Sequence, residues 1–463
     1  MKLLVISDAH LITQNGKKVA YAPYVKEMDL WMAYVSETTF VSPNKIAKPL
    51  LARAFKKQDF VQMSVRRLEF HTLKHAVLSL LTVPYQALLL WKAMRRADHI
   101  HMRAPGNLVL LAGIVSVMLP RKRKTIKYAG NFSPIASQPV SYRLQKKIFS
   151  NTRLSKNTTV MAYGDWPRQT ANVEPFFTAT YSERQKGHFL KYYDEPLQFM
   201  FVGTLSQNKN PQLLVYLIKA LNEAGISSQG HFYGDGAMKE ALRVQSSALN
   251  VRSSDFGNRS LKPQNQELEV ESIIAKSAKS SFLSDKLGWE KEQAIFFHGN
   301  QPAAIVTEAY KRSHFLFLAS QSEGWPKVVA EAMWHGCIPI ATPVSCVPWM
   351  LGIENPKSQI PNSNAINDMY NVAIVASNHI NPNEIVVLEK ESGTGKTNIV
   401  NFNFLQIGTR GICFTDIAKI VTVVQHLLAH KETMKLLSRN AQSWSQEYTL
   451  ERFEAEIVKL LKS

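Results

Sequence analysis

Three cysteines (Cys337, Cys346 and Cys413) in 463 residues are too few for a disulfide framework or a four-ligand zinc site. They suit a reducing compartment. The chain also lacks an Asp-x-Asp pair and a spaced His/Cys cluster, so no metal is expected. The opening Met-Lys-Leu-Leu-Val-Ile-Ser-Asp has four apolar residues before Ser7, short of the roughly seven a secretory signal needs. Uninterrupted apolar runs of spanning length are missing as well. The uncharged stretch 75–91 contains Pro84, and 104–120 starts Ala-Pro-Gly. Both read as buried helices of an α/β core rather than as membrane spans. What is present is soluble-protein material, 45% hydrophobic and 20% charged, long enough for two or three domains.

Acidic residues are scarce in one part of the chain only. Residues 1–190 carry 29 Lys/Arg against 10 Asp/Glu, whereas residues 191–463 carry 26 of each. The whole net charge of +19 therefore sits in the first two-fifths. Such a partition points one domain at a polyanion: a membrane surface, a phosphorylated substrate or nucleic acid. No zinc-finger or basic-zipper framework accompanies the charge, so nucleic acid is not expected. Lys390–Thr397 mimics a phosphate loop, but Lys390 stands where that loop needs glycine.

Residues 2–6, 98–102 and 125–128 read as strands, with a turn at Asn15-Gly16 and an apolar helix at 108–119. Between them, Phe55–Met94 has a helical pattern broken at Pro84. A polar segment near Glu183–Glu195 marks a boundary, after which strand–helix alternation restarts at 198–202. It continues through helix 211–224, strand 230–233, helix 237–249, strand 294–297, helix 302–312, strand 314–318, helix 326–335 and strand 337–341. Residues 252–285 and 353–406 read as insertions, and 415–463 as helical. The alternation predicts parallel βαβ units.

The chemistry concentrates in residues 314–342, which read strand, loop, helix, strand. Pro326 opens the helix and Gly336 caps its end. The helix start after Glu323-Gly324 presents free N–H groups and suits a phosphate. Glu323 in the loop and Glu331 in the helix are two carboxylates beside that anion site. They make sense as acceptors of hydrogen bonds from hydroxyls, and a nucleotide sugar offers diphosphate, ribose and sugar hydroxyls together.

The register of Glu323, Gly324, Pro326, Glu331, Gly336 and Pro339 resembles the retaining glycosyltransferases of family 4, in the GT-B group. That resemblance implies an α/β protein with two Rossmann-like domains facing a cleft and a carboxy-terminal helix crossing back. The acceptor domain would be 1–190, the donor domain 191–445, and the returning helix 446–463. Phe201–Asn210 is similar to the family's diphosphate loop, with Lys209 in place but Thr204 for its arginine and Asn210 for its last glycine. The implied donor-binding residues are Gly203, Thr204, Lys209, His298, Gly324, Trp325, Pro326, Lys327, Val328 and Glu331. Tyr233-Gly-Asp-Gly236 resembles a Gly-x-Gly turn of the family. Its histidine next to the reactive sugar is absent: the place reads Tyr128-Ala-Gly-Asn131. Glu323, Asn131 and Arg103 are accordingly the candidate catalytic residues. The resemblance implies transfer of a sugar from a nucleotide-diphosphate donor to a hydroxyl acceptor, without cofactor or metal, in polysaccharide or glycolipid synthesis. The basic first domain adds a lipid-linked acceptor, with the clusters Arg53–Lys57, Arg66-Arg67, Arg95-Arg96, Arg121–Lys124 and Lys146-Lys147 at an anionic inner membrane face. The expected location is cytoplasmic. The missing arginine and histidine leave a non-catalytic binding protein of the same fold as the alternative.

Overall fold

The computed structural model describes residues 1–45, 51–134, 136–166, 169–249, 294–353, 400–402 and 405–462. The expected insertion 252–285 and the Lys390–Thr397 loop lie outside them, as does most of 353–406.

The amino-terminal part runs β1 (Lys2–Ser7), β2 (Ile12–Gln14), β3 (Lys17–Tyr21), α1 (Ala22–Ala33), β4 (Glu37–Pro43), β5 (Ala52–Ala54) and β6 (Val61–Val65). It continues with α2 (Leu73–Arg96), β7 (His99–Ala104), α3 (Asn107–Ser116), β8 (Arg123–Tyr128), α4 (Val140–Ser150), β9 (Thr158–Tyr163) and β10 (Val173–Phe176). Seven of these strands form a sheet in the order β10-β9-β8-β7-β1-β4-β6, every pair parallel. The Asn15-Gly16 turn joins β2 to β3, both residues taking the positive φ that a tight hairpin requires.

A second sheet begins with β11 (Leu197–Val202), α5 (Gln212–Glu223), β12 (Ser228–Tyr233), α6 (Lys239–Leu249), β13 (Ile295–Gly299), α7 (Ala303–Arg312) and β14 (Phe315–Leu318). Then come α8 (Lys327–Trp334), β15 (Ile338–Ala341), α9 (Val347–Met350), β16 (Val400–Phe402), β17 (Leu405–Ile407) and β18 (Ile412–Phe414). Its order is β13-β12-β11-β14-β15-β18-β17-β16, parallel except for the final two pairings. Helices α10 (Ala418–Ala429), α11 (Lys431–Ser445) and α12 (Leu450–Lys462) close the chain.

Each sheet has a core on its outer face, and the cores of the two inner faces merge into one. That shared core includes Trp31 and Phe40 from one domain, Val329 and Met333 from the other, and Phe453 and Ile457 from α12. Helix α12 thus lies against the first domain. Phe453 meets Phe176 and Phe177 at ring distances of 5.5 and 5.7 Å, and Arg123 donates to the Leu461 carbonyl at 3.0 Å.

The helical reading of 55–94 is corrected by the structure. Val61–Val65 pairs with β4 as an edge strand, since backbone bonding to a neighbour outweighs a weak helical period. Helix α2 also continues through Pro84 instead of breaking there. The carbonyl that proline leaves unpaired belongs to Leu80, and both residues are exposed, so water can take its place. Nor is 75–91 buried: Leu81 is 72% and Tyr85 67% exposed, whereas 104–120 does form a mostly buried helix.

Phe453 is 4% exposed and packs on Phe176 and Phe177, so Phe453→Ala should cost about 3–5 kcal/mol of unfolding free energy, read as a lowered urea midpoint.

Candidate active site

The carboxyl ends of the strands in the two sheets supply the candidate residues. In the second domain, glycines let two strand ends crowd together. A Cβ on Gly234 would stand 1.9 Å from the Gly203 carbonyl, and one on Gly236 2.4 Å from that of Leu205. The loop after β11 is thereby pressed onto the turn after β12. Asn210 takes φ 45°, the left-handed conformation asparagine tolerates best after glycine, which explains how it replaces a glycine there. Its side chain donates to the Ala319 carbonyl at 3.0 Å.

This loop is fastened to the one that carries the first glutamate. The Gln321 N–H donates to the Asn208 carbonyl at 2.8 Å, and the Asn208 side chain donates to the Ser322 carbonyl at 3.3 Å. Lys209 consequently reaches Glu323, and the two form an ion pair. Thr204, where an arginine was expected, is exposed. On the next strands, His298 stacks on Tyr233 at 4.3 Å and 10°. His231 bonds Gln198 Oε1 through Nε2 at 2.6 Å and His298 Nε2 through Nδ1 at 3.1 Å. Burial lowers the His231 pKa to about 4, so it is neutral near pH 7, accepts from His298 Nε2–H and fixes that tautomer.

Gly324 packs directly on the opposite domain: a Cβ there would lie 2.4 Å from the Ala129 carbonyl of the first domain. Ser345 Oγ donates to the Gly324 carbonyl at 2.9 Å. Trp325 and Pro326 are buried, and the Trp325 ring packs with Trp349, Trp444 and Tyr448 at 6.1–6.3 Å. Arg410 covers the Trp444 ring at 5.0 Å and donates to the Met350 and Trp349 carbonyls. Helix α8 then starts, with Lys327 and Val328 in its first turn. Glu331 accepts from Thr180 Oγ1 at 2.9 Å and Tyr310 Oη at 3.4 Å. Burial raises its pKa against the opposing pull of Thr180, Lys327 and Tyr310. Burial lowers the Lys327 pKa, with Glu331 and Glu27 acting to raise it and Lys127 and Lys26 to lower it. That charge set spans both domains.

In the first domain, Arg103 at the end of β7 ion-pairs Glu27 at 2.7 Å. Lys127 on β8 meets the same oxygen at 2.9 Å. Burial alone would raise the Glu27 pKa, but Lys127 and Arg103 overcome it and bring it to about 2. Asn131, just past the Ala129 contact, accepts from the Ser133 N–H at 2.9 Å through its side chain. His99 and His101 are buried, each bonded to Thr125, as expected of packed histidines. Sequence reasoning passed over Glu27 and Lys127; a glutamate 76 positions from Arg103 gives no local signal. It also passed over Glu69, His71 and His75, which the fold gathers on the first domain with donor atoms within 4.8 Å of one another. Arg67 lies 3.6 Å from Glu69, and Thr72 Oγ1 is 2.6 Å from His75 Nδ1.

This architecture is the GT-B glycosyltransferase fold, two parallel α/β domains about a shared cleft. Residues 276–365 match the family "Glycosyl transferases group 1". HepE from Anabaena, solved in complex with UDP, is similar over 100% of both chains at 12% identity and a TM-score of 0.55. The lipopolysaccharide outer core galactosyltransferase WaaB covers 100% of this chain and 99% of its own at 14% identity, with a TM-score of 0.55. Sucrose-phosphate synthase from Thermosynechococcus elongatus follows at 12% identity over 100% of this chain and 98% of its own, with a TM-score of 0.51. No curated protein matches the sequence significantly.

Glu27 generates the prediction. Its folded pKa of about 2 lies below the ordinary 4.5, so its stabilising contribution is complete above pH 4.5 and fades as pH falls toward 2. Glu27→Gln should cost about 3–5 kcal/mol at pH 7, because Lys127 is left buried without its counter-charge. Urea titrations between pH 7 and 2 should also show the acid-sensitive component missing in the variant.

Proposed function

We propose that the protein is a glycosyltransferase that moves a sugar from a nucleotide-diphosphate donor to a hydroxyl acceptor. The observation that carries this reading is the placement of Glu323-Gly324 and α8. The loop is bound to the Lys209 loop on one side and pressed on Ala129 of the opposite domain on the other. UDP in the HepE complex is consistent with the donor class.

In this reading, Lys209 leaves Glu323 to meet the diphosphate when donor binds, and the first-turn N–H groups of α8 supply the second positive site. Charge growing on the leaving diphosphate is then stabilised by groups already in position. Glu323, released from Lys209, orients the transferred sugar. Glu331 takes the ribose hydroxyls in exchange for Thr180 and Tyr310. The Tyr233–His298 pair lies at the strand ends where the base would sit. Arg103 and Asn131 line the acceptor side, Arg103 held in place by Glu27. Transfer with retention, in polysaccharide or glycolipid synthesis and without metal or cofactor, belongs to the same proposal. So do a cytoplasmic location and a lipid-linked acceptor at an anionic membrane, which would account for the basic first domain.

Calorimetry with UDP and with free pyrophosphate tests the roles. Lys209→Ala should weaken both ligands tenfold or more, a charge-assisted bond being worth about 1.5–3 kcal/mol. Glu331→Ala should weaken UDP similarly and leave pyrophosphate almost unchanged; equal losses would overturn the ribose role. Turnover of radiolabelled nucleotide sugars decides between an enzyme and a binding protein, since binding without hydrolysis or transfer for any donor defeats the proposal.

A further inference from the structure

Helix α2 has an apolar face that no other part of the described chain covers. Leu73, Val77, Leu80, Leu81, Tyr85 and Leu88 are exposed, Leu73 by as much as 83%. At 100° per residue they fall within an arc of about 140°. Lys74, Lys92 and Arg95 are exposed on the same arc, and Arg96 at its edge. The helix contains no aspartate or glutamate in 24 residues.

Its other face is fixed to the domain. Ser79 Oγ donates to the Glu69 carbonyl and accepts from the Glu69 N–H, both at 2.9 Å. Gln86 donates to the Arg66 carbonyl at 3.1 Å, and Leu90, Ala93 and Met94 are buried. By length and composition α2 could cross a membrane, but these contacts lay it along the domain surface.

The basic run Arg121–Lys124, expected to face lipid, is mostly engaged elsewhere. Lys122 Nζ donates to the Ala97 carbonyl at 2.7 Å and Arg123 to Leu461 at 3.0 Å. Lys124 is buried and donates to the Leu119 and Lys122 carbonyls, both at 2.9 Å. Of the four, only Arg121 is exposed.

We infer that α2 is the element that seats the protein on an anionic membrane. Its apolar stripe enters the boundary between headgroups and acyl chains, and Lys74, Lys92, Arg95 and Arg96 meet lipid phosphates. The inference deepens the lipid-acceptor reading above and rests on it for what the contact is for. Charge selects the occupant: a second copy would bring an equally basic, acid-free face against this one, and like charges in contact oppose association.

Sedimentation with phosphatidylcholine vesicles, with and without phosphatidylglycerol, tests it. Wild type should bind the anionic vesicles, and salt should weaken but not abolish binding, since only the ionic part is screened. Leu80→Ser combined with Leu81→Ser should lower the partition coefficient about a hundredfold, one buried leucine being worth roughly tenfold or more. Arg121→Glu should change it less than about threefold, as one ionic contact of several. Thermal midpoint and UDP binding of the double variant should equal wild type, which separates lost docking from lost fold. Vesicle binding without UDP binding would defeat the donor reading and leave the role of α2 standing. Wild type that ignores anionic vesicles at low salt, or a double variant that binds them undiminished, overturns the inference. So does a dimer that the same two substitutions dissolve, in the absence of vesicle binding.

Discussion

Lys127 is enclosed at the junction of three elements, and its charge is tolerable there because Glu27 stands 2.9 Å away. Removing Glu27 would leave the Lys127 ammonium in a low-dielectric interior without its counter-charge, where desolvation alone costs several kcal/mol. The pair therefore dictates that α1, which carries Glu27, lies over β7 and β8. The Lys127 ammonium also sits 4.8 Å from the Phe453 ring, so the returning helix is packed against the same charge. Arg103 shares Glu27 and is held with its guanidinium 5.4 Å from the Tyr24 ring. One buried carboxylate thus positions a strand end at the cleft, the helix above it and the last helix of the chain.

The opposite wall of the cleft is organised by packing and backbone bonds. The Trp325, Trp349, Trp444 and Tyr448 rings hold the loop that carries Glu323 from behind. Arg410 satisfies carbonyls of α9 on the far side of the same cluster. The linker is tied in by Lys191, whose ammonium donates to the carbonyls of Tyr310, Lys311 and Ser313 at the end of α7. Those are the carbonyls a helix end leaves without internal partners. Lys209 and Glu323 thus stand in front of an aromatic cluster that backs their loop.

The part of the site in the second domain was legible because its signals are local. Glu323, Gly324, Pro326, Glu331 and Gly336 lie within one strand–loop–helix, and each acts through a turn, a cap or a helix start that neighbours in sequence determine. The alternation of short apolar runs likewise located β11 to β15 of the second sheet, but only β1, β7 and β8 of the seven strands in the first. What was illegible depends on distant partners. Nothing near Glu27 says that it will be buried between Arg103 and Lys127. The apolar composition of 75–91 was plain, but composition gives no direction. Whether a leucine faces a core or solvent is decided by which neighbours fill that side, and Leu80 and Leu81 have none among the described residues. Glu69, His71 and His75 are the exception, a local group within seven residues that the reading passed over.

The chain passes between the two domains twice, once through the segment that follows Phe176 and again where α11 gives way to α12. Two bodies joined at two points share a line through those points. Rotation about that line leaves both joints intact, whereas sliding or twisting would have to stretch one of them. The contact of Gly324 with Ala129 lies beside the second crossing, since the adjoining Trp325 packs on Trp444 and Tyr448. The topology thus leaves rotation about that line as the relative motion that strains neither joint.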